Sequence, residues 1–256
     1  LYLSPWDRNA PSYGDEAAYN QFYIGQLREL LTQYGPLAEV WFDGAKGEDA
    51  KDMTYHFDAY WSMVRQLQPD AVIFSDEGPD VRWIGNEHGF AGETNWSTFD
   101  RSKVGIGQPG QGDYLNRGER GGPDWVPGEC DTSLRPGWFW HPGEDPKTVD
   151  DLLEIYFKSV GRNCMLLLNV PPTPAGRLAD EDVERLYAFR AAIDAIFDTD
   201  LAATARATAS NVRGGSEHFG AAQVLDSNLD TYWATDDTVE TASLELDLGA
   251  DQTFKD

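Results

Sequence analysis

Twice before residue 80 a short apolar run stops at an acidic residue with glycine close behind. These are "AEVWFDGAKG" from Ala38 and "AVIFSDEG" from Ala71. Each run follows a segment whose apolar residues recur three or four apart, the spacing of one helix face. "DEAAYNQFYIGQLRELLTQYGP" sets Tyr19, Phe22, Tyr23, Leu27, Leu30, Leu31 and Tyr34 on one side and closes at Gly35-Pro36. A second helix is predicted from about Thr54 to Gln68, with Phe57, Tyr60, Trp61, Val64 and Leu67 on one face and Pro69 as its stop. Helix alternating with strand points to βαβ units around a parallel sheet.

The rest of the first 198 residues keeps the alternation with one interruption. "VRWIG" reads as a short strand running into "NEHGFAGETNW", and "GWFWH" as another extended stretch. Helices are predicted from Lys147 to Val160 and from Asp180 to Phe197. Between them "CMLLLNV" reads as a fully buried strand, because its apolar run is continuous. Residues 97–136 are rich in Gly, Pro, Asp and Arg without periodicity, and so read as a long functional loop. Acidic or polar residues follow the strands at Asp43, Asp76, Glu87 and Asn169, the positions that form the active face of a (β/α)8 barrel. A doubly wound sheet could give the same string, but no glycine-rich phosphate loop follows a strand. Four to six strands are visible, so the expected fold is α/β, a TIM-like barrel incomplete at its N-terminus. After Thr199 short alternating runs such as "ASLELDLG" predict a second, antiparallel β domain over 199–256 that ends before it is whole.

A chain with 20 basic and 44 acidic residues, net charge -24, offers no basic patch for phosphates, which excludes nucleic acid as a partner. No run reaches the roughly 18 apolar residues that span a membrane. Two cysteines set no disulfide framework: Cys164 opens an apolar run and reads as a buried free thiol, and Cys130 lies in the Gly/Pro-rich loop. The chain opens at "LYLSPWD" without a Met, as if inside a strand, and is expected to be a piece of a longer protein.

Paired carboxylates at neighbouring strand ends suit glycoside hydrolysis, in which one attacks or stabilises the anomeric carbon and the other protonates the leaving oxygen. Spacing alone leaves Asp43 open as either a nucleophile or an ordinary strand-end turn residue. Glu87, among Trp83, Ile84, His88 and Phe90, has a partly apolar setting that suits a proton donor, with Glu77 and Glu93 as rivals. Asp76 and Glu77 read as turn or helix-start residues. The histidines His56, His88, His141 and His218 lack metal-ligand spacing, and no nucleophile elbow is present. Trp83, Trp96, Trp125, Trp138 and Trp140 gather around the long loop, where they either stack on sugars or fill the core.

Four motifs in order, "YGPLAEVWFDGAKG", "RWIGNEHGFAGETNW", "RPGWFWH" and "GRNCMLLLNVPPTPAGRL", resemble glycoside hydrolase family 29, the α-L-fucosidases, over roughly residues 1–198. "GNEHGFAGETNW" is similar to the subgroup that prefers branched α-1,3/1,4-linked fucose. The resemblance implies a retaining hydrolase of fucosylated oligosaccharides or glycoconjugates that needs no cofactor. In it Asp43 of "WFDG" is the nucleophile and Glu87 of "GNE" the acid/base. It also implies Trp41 and Trp138 as walls of the fucose pocket and Trp83, Trp96 and Glu129 near adjoining sugars. A secreted, periplasmic or cell-surface location follows from the same resemblance. Family members hold further fucose-gripping histidines and a tryptophan on earlier strands, so the 256-residue piece alone is expected to be poorly stable or inactive.

The tail, with "ATASNVRG", "AAQVLDSNLDTYWAT" and "LELDLG", resembles the start of a discoidin-like, family 32 carbohydrate-binding module, a β-sandwich of jelly-roll type. Such modules often hold a structural calcium, for which Asp226, Asn228 and Thr231 offer hard oxygen ligands; a plain Asx-rich turn reads equally well. Two rival functions stay open: a non-catalytic glycan-binding protein on the same barrel, and a retaining glycosidase for another sugar.

Overall fold

The computed structural model describes residues 1–47 and 49–253 and divides the chain into two compact units, Leu1–Phe189 and Arg190–Asp256. In the first unit, α1 (Glu16–Gln33) begins where the Asp15 carboxylate accepts the Ala18 N–H, an N-cap that satisfies one of the helix's free donors. Tyr19, Tyr23, Leu27 and Leu31 form its buried stripe, while Phe22 and Tyr34 face solvent. Strand β1 (Glu39–Trp41), helix α2 (Phe57–Leu67) and strand β2 (Val72–Ser75) follow, then β3 (Val81–Trp83). Next come the short strand β4 (Thr98–Phe99), α3 (Gly112–Arg117), β5 (Asp124–Trp125) and β6 (Gly128–Ser133). The unit continues with α4 (Val149–Ser159), β7 (Cys164–Asn169) and α5 (Asp180–Phe197), which runs on into the second unit. Helix α4 starts in a capping box, with Thr148 and Asp151 each bonding the other's backbone.

The five long-sheet strands are all parallel and lie in the order β1-β2-β3-β6-β7. Each of the five pairs with the next of the five along the chain, β4 and β5 forming their own ribbon between β3 and β6, and an isolated bridge sets Tyr2 alongside Trp41 at the outer edge of β1. A doubly wound sheet reverses direction at a switch point; this one does not. Right-handed crossovers that always step the same way leave the helices on one face, the half-barrel arrangement. Val40, Phe42 and Ile73 therefore point into the helix layer with Tyr23, Leu27, Leu31, Tyr60 and Val64.

Three sequence expectations need correction. Residues 97–136 are not an open loop, because they contain α3, the β4–β5 ribbon and all of β6. Every residue of β6, "GECDTS", is buried, and its carboxylates hid it as a strand. "GWFWH" forms bends and no strand. β7 is not buried on both faces: Cys164 is buried, while Met165 and Leu167 are exposed on the face opposite the helices. The two thiols are free and touch on the helix side, Sγ to Sγ 2.7 Å.

Two buried arginines tie the irregular segments down. Arg82 bonds the carbonyls of Leu115, Val126 and Trp96 and the Asn95 side chain, which anchors 95–126 beneath β3. Arg135, at the end of β6, grips both oxygens of the fully buried Asp182 in α5 through its Nε (3.0 and 2.9 Å). The second unit pairs β8 (Arg206–Ala209) antiparallel with β9 (Leu244–Asp247), and 3-10 turns lie between them. Among the described residues no helix is long and apolar enough to cross a membrane.

Candidate active site

Because side chains alternate along a strand, the register sets Trp41 beside Phe74 and Trp83 beside Glu129 on the face away from the helices. One step further along the same face, past the strand ends, come Asp43, Asp76 and, from β6, Asp131. Asp43, Asp76, Glu87 and Asp131 line one cavity of about 420 Å3 together with Trp41, Phe74 and Trp83. Residues 107–112 cover its side.

Asp43 is held from three directions. Its Oδ1 accepts the Ala45 N–H at 2.7 Å, its Oδ2 accepts the Tyr2 hydroxyl at 2.5 Å, and its carbonyl accepts the Trp6 indole N–H at 2.6 Å. Burial first, then the Asp43 carboxylate, pushes the Tyr2 phenol up, so Tyr2 stays protonated and donates. The glycine after Asp43 has a steric cause: a Cβ at Gly44 would fall 2.2 Å from an Asp76 oxygen. Gly85 is fixed likewise, at φ +86 with a Cβ only 2.2 Å from the Gly112 carbonyl oxygen.

Glu87 sits on the turn after β3 and is exposed, not wrapped in apolar residues as its sequence neighbours suggested. Ile84 is buried beneath it, while the Trp138 indole reaches across and donates to Glu87 Oε2 at 3.2 Å. Trp41 lies flat on Phe74, with ring centroids 4.1 Å apart and planes 6° apart. Trp96 does not line the cavity; its ring packs under the Arg120 guanidinium at 5.8 Å. Glu129 is buried behind Trp41 and bonded to its indole at 3.0 Å. The rivals Glu77 and Glu93 stand outside the cavity lining.

Two further carboxyls belong to the cavity. Burial pushes Asp76 up to about 6 against the pull of the Gly107 N–H, with Asp43 adding to the rise. Burial also drives Asp131 up to about 7, with the charges of Glu87 and Asp43 adding. Asp131 Oδ1 has no hydrogen-bond partner. The sequence reads Asp76 as a turn or helix-start residue and does not single out Asp131, although "ECDTS" carries the signal: polar residues two apart, Glu129, Asp131 and Ser133, alternate with Cys130 and Thr132. A surface with several carboxylates, aromatic walls and two acids raised toward neutrality can exchange protons with a polar, uncharged, ring-shaped ligand.

In the second unit Asp226, Asn228 and Thr231 meet in one turn. Asp226 accepts the Asn228 N–H (2.9 Å) and the Thr231 hydroxyl (2.7 Å), and that hydroxyl also faces the Asn228 carbonyl (2.9 Å). The oxygens are of the hard type calcium takes, but three are about half of its shell and they already satisfy one another. Among the described residues no group of three or more His, Cys, Asp or Glu side chains could hold a metal.

Residues 1–191 match the family model described as Alpha-L-fucosidase. "Alpha-L-fucosidase 1" of Arabidopsis thaliana is 52% identical over 249 residues, covering 97% of this chain and 49% of that protein. The chain thus spans about half the length of the curated relatives it matches. Among solved structures, SpGH29 superposes with a TM-score of 0.89 at 41% identity, covering 97% of this chain and 56% of the other. A Ruminococcus gnavus GH29 fucosidase in complex with fucose gives a TM-score of 0.83 at 36% identity, covering 97% of this chain and 55% of its own.

Proposed function

Since the chain belongs to the alpha-L-fucosidase family, we propose that it carries the catalytic carboxylates of a retaining α-L-fucosidase acting on α-1,3/1,4-fucosylated glycans. The observation that carries this reading is the convergence of Asp43 and Glu87 on one aromatic-walled cavity at the ends of parallel strands. In the first displacement an Asp43 oxygen bonds to the anomeric carbon as the glycosidic C–O bond breaks, and the Glu87 proton passes to the leaving oxygen. Water then gives a proton to Glu87 and attacks the same carbon, which frees fucose and restores the Asp43 carboxylate. Asp43 is ready for this role because Tyr2 and Ala45 fix both of its oxygens. Glu87, open to solvent and steadied by Trp138, can meet both the departing sugar and the incoming water. Trp138 offers a flat face to the C–H side of fucose, while Trp41, its faces covered by Tyr2 and Phe74, walls the pocket with its edge. Trp83 lines the same cavity toward the adjoining sugars, and Trp96, outside the lining, would meet only a longer glycan.

The wider reading places the five-stranded sheet in a (β/α)8 barrel and the second unit in a discoidin-like sandwich, within a protein that is secreted, periplasmic or on the cell surface. Calcium at the Asp226 turn would act only as a brace for that unit. The test of the chemistry is turnover of an aryl α-L-fucoside by the whole protein, with aryl galactoside and glucoside alongside. Glu87→Gln should lose about 10²–10⁴-fold on a poor leaving group, and with an activated aryl fucoside, where the fucosyl ester forms without the acid, azide should restore turnover with release of a fucosyl azide of retained configuration. Turnover of another aryl glycoside in preference would move the reading to a different sugar. A folded protein that binds fucosylated glycans and turns over none would move it to a binding protein.

A further inference from the structure

Glu129 touches the wall of the cavity from behind and does not line it. Its Oε1 accepts the Trp41 indole N–H at 3.0 Å, and the side chain is buried. The indole is sandwiched between Phe74 and Tyr2, with centroids 4.1 and 5.6 Å away. Stacking fixes the plane of a ring but lets it slide and turn within that plane; a directional bond at the ring edge removes that freedom. Next to Glu129 stands Glu39 of β1, whose Oε1 is buried with no hydrogen-bond partner.

We propose that Glu129 is a positioning residue that locks the Trp41 indole in the cavity wall. The acceptor is held on β6, a strand buried along its whole length, so the bond fixes the ring edge to a rigid element. Burial first, and the neighbouring Glu39 carboxyl next, push Glu129 up to about 8, while the Trp41 N–H pulls the other way, as a donor to a carboxylate does. Either protonation state keeps an oxygen that accepts from Trp41, so the lock does not depend on the charge of Glu129.

The kinetic arm of the test rests on the fucosidase reading; the spectroscopic arm does not. In the whole protein, Glu129→Gln keeps an acceptor for Trp41 and should stay within about threefold of wild type in KM. Glu129→Leu removes the acceptor and should raise KM for an aryl α-L-fucoside about tenfold with kcat little changed, the scale of one hydrogen bond to a carboxyl. The near-UV circular dichroism that disappears in Trp41→Phe should weaken in Glu129→Leu and be kept in Glu129→Gln. Equal losses in the Gln and Leu variants, an unchanged KM in Glu129→Leu, or an unchanged Trp41 signal in Glu129→Leu would each overturn the proposal. Should Glu129→Leu fail to fold, the hydrogen-bond-sensitive ultraviolet Raman band of the Trp41 indole, taken as wild type minus Trp41→Phe, decides: a bonded N–H supports the proposal and a free one overturns it. Should the whole protein cleave no fucoside, the fucosidase reading falls while the Trp41 signal still decides the positioning role.

Discussion

Asp131 lines the same cavity as Asp43 and lies in a strand buried along its whole length, and that burial has a measurable consequence. Asp131 at about 7 and Asp76 at about 6 both lie above the ordinary value of 3.8. The folded state therefore binds more protons than the unfolded chain between about pH 4 and 7, and stability falls as pH rises through that window. Thermal melts from about pH 5 to 8 should show this fall, and Asp131→Asn should flatten it by roughly 2–4 kcal/mol. An equal slope in the variant would show that Asp131 is ionised throughout. Tyr2→Phe, which removes the hydroxyl from Asp43 Oδ2, should lower kcat/KM about tenfold without unfolding the protein. Of the two aspartates only Asp43 is legible in the sequence, because it ends an apolar run and precedes a glycine. Asp131 follows a cysteine in a strand whose inward side chains are acidic, and a polar strand is indistinguishable from a loop until its neighbours are known.

At the scale of elements, legibility followed the chemistry of the inward face. Helices α1, α2 and α4 are readable because each has an apolar stripe, and α5 has the bounds the sequence suggests, Asp180–Phe197, although among the described residues Asp182 is its one buried residue. β7 was readable as a strand but not in its burial, because Met165 and Leu167 mimic a core-facing pair. The Arg135–Asp182 pair that fastens α5 to the end of β6 left no signal, since its partners are 47 residues apart. Asp182→Asn leaves Arg135 with the exposed Glu181 as its remaining carboxylate, so it should cost about 1.5–3 kcal/mol, the scale of a buried hydrogen bond to a charged group. A Tm within a degree or so of wild type would show that α5 is held by the packing of its Leu186 and Phe189 against Leu134, Leu152 and Ile155 alone.

For the whole molecule, a net charge of -24 and a cavity rich in carboxyls suit a neutral ligand better than an anionic one. Calcium acting as a brace in the second unit predicts that calcium raises the Tm of that unit's transition and a chelator lowers it; coincident melts would remove calcium from the account. The central claim concerns Asp43, and the most direct measurement is chemical. The whole protein is incubated with a fucose-configured mechanism-based label, digested, and the modified peptide sequenced by mass spectrometry. The account predicts a fucosyl ester on Asp43, absent from Asp43→Asn. Label on another carboxyl, or none on a protein that turns over fucosides, would contradict it.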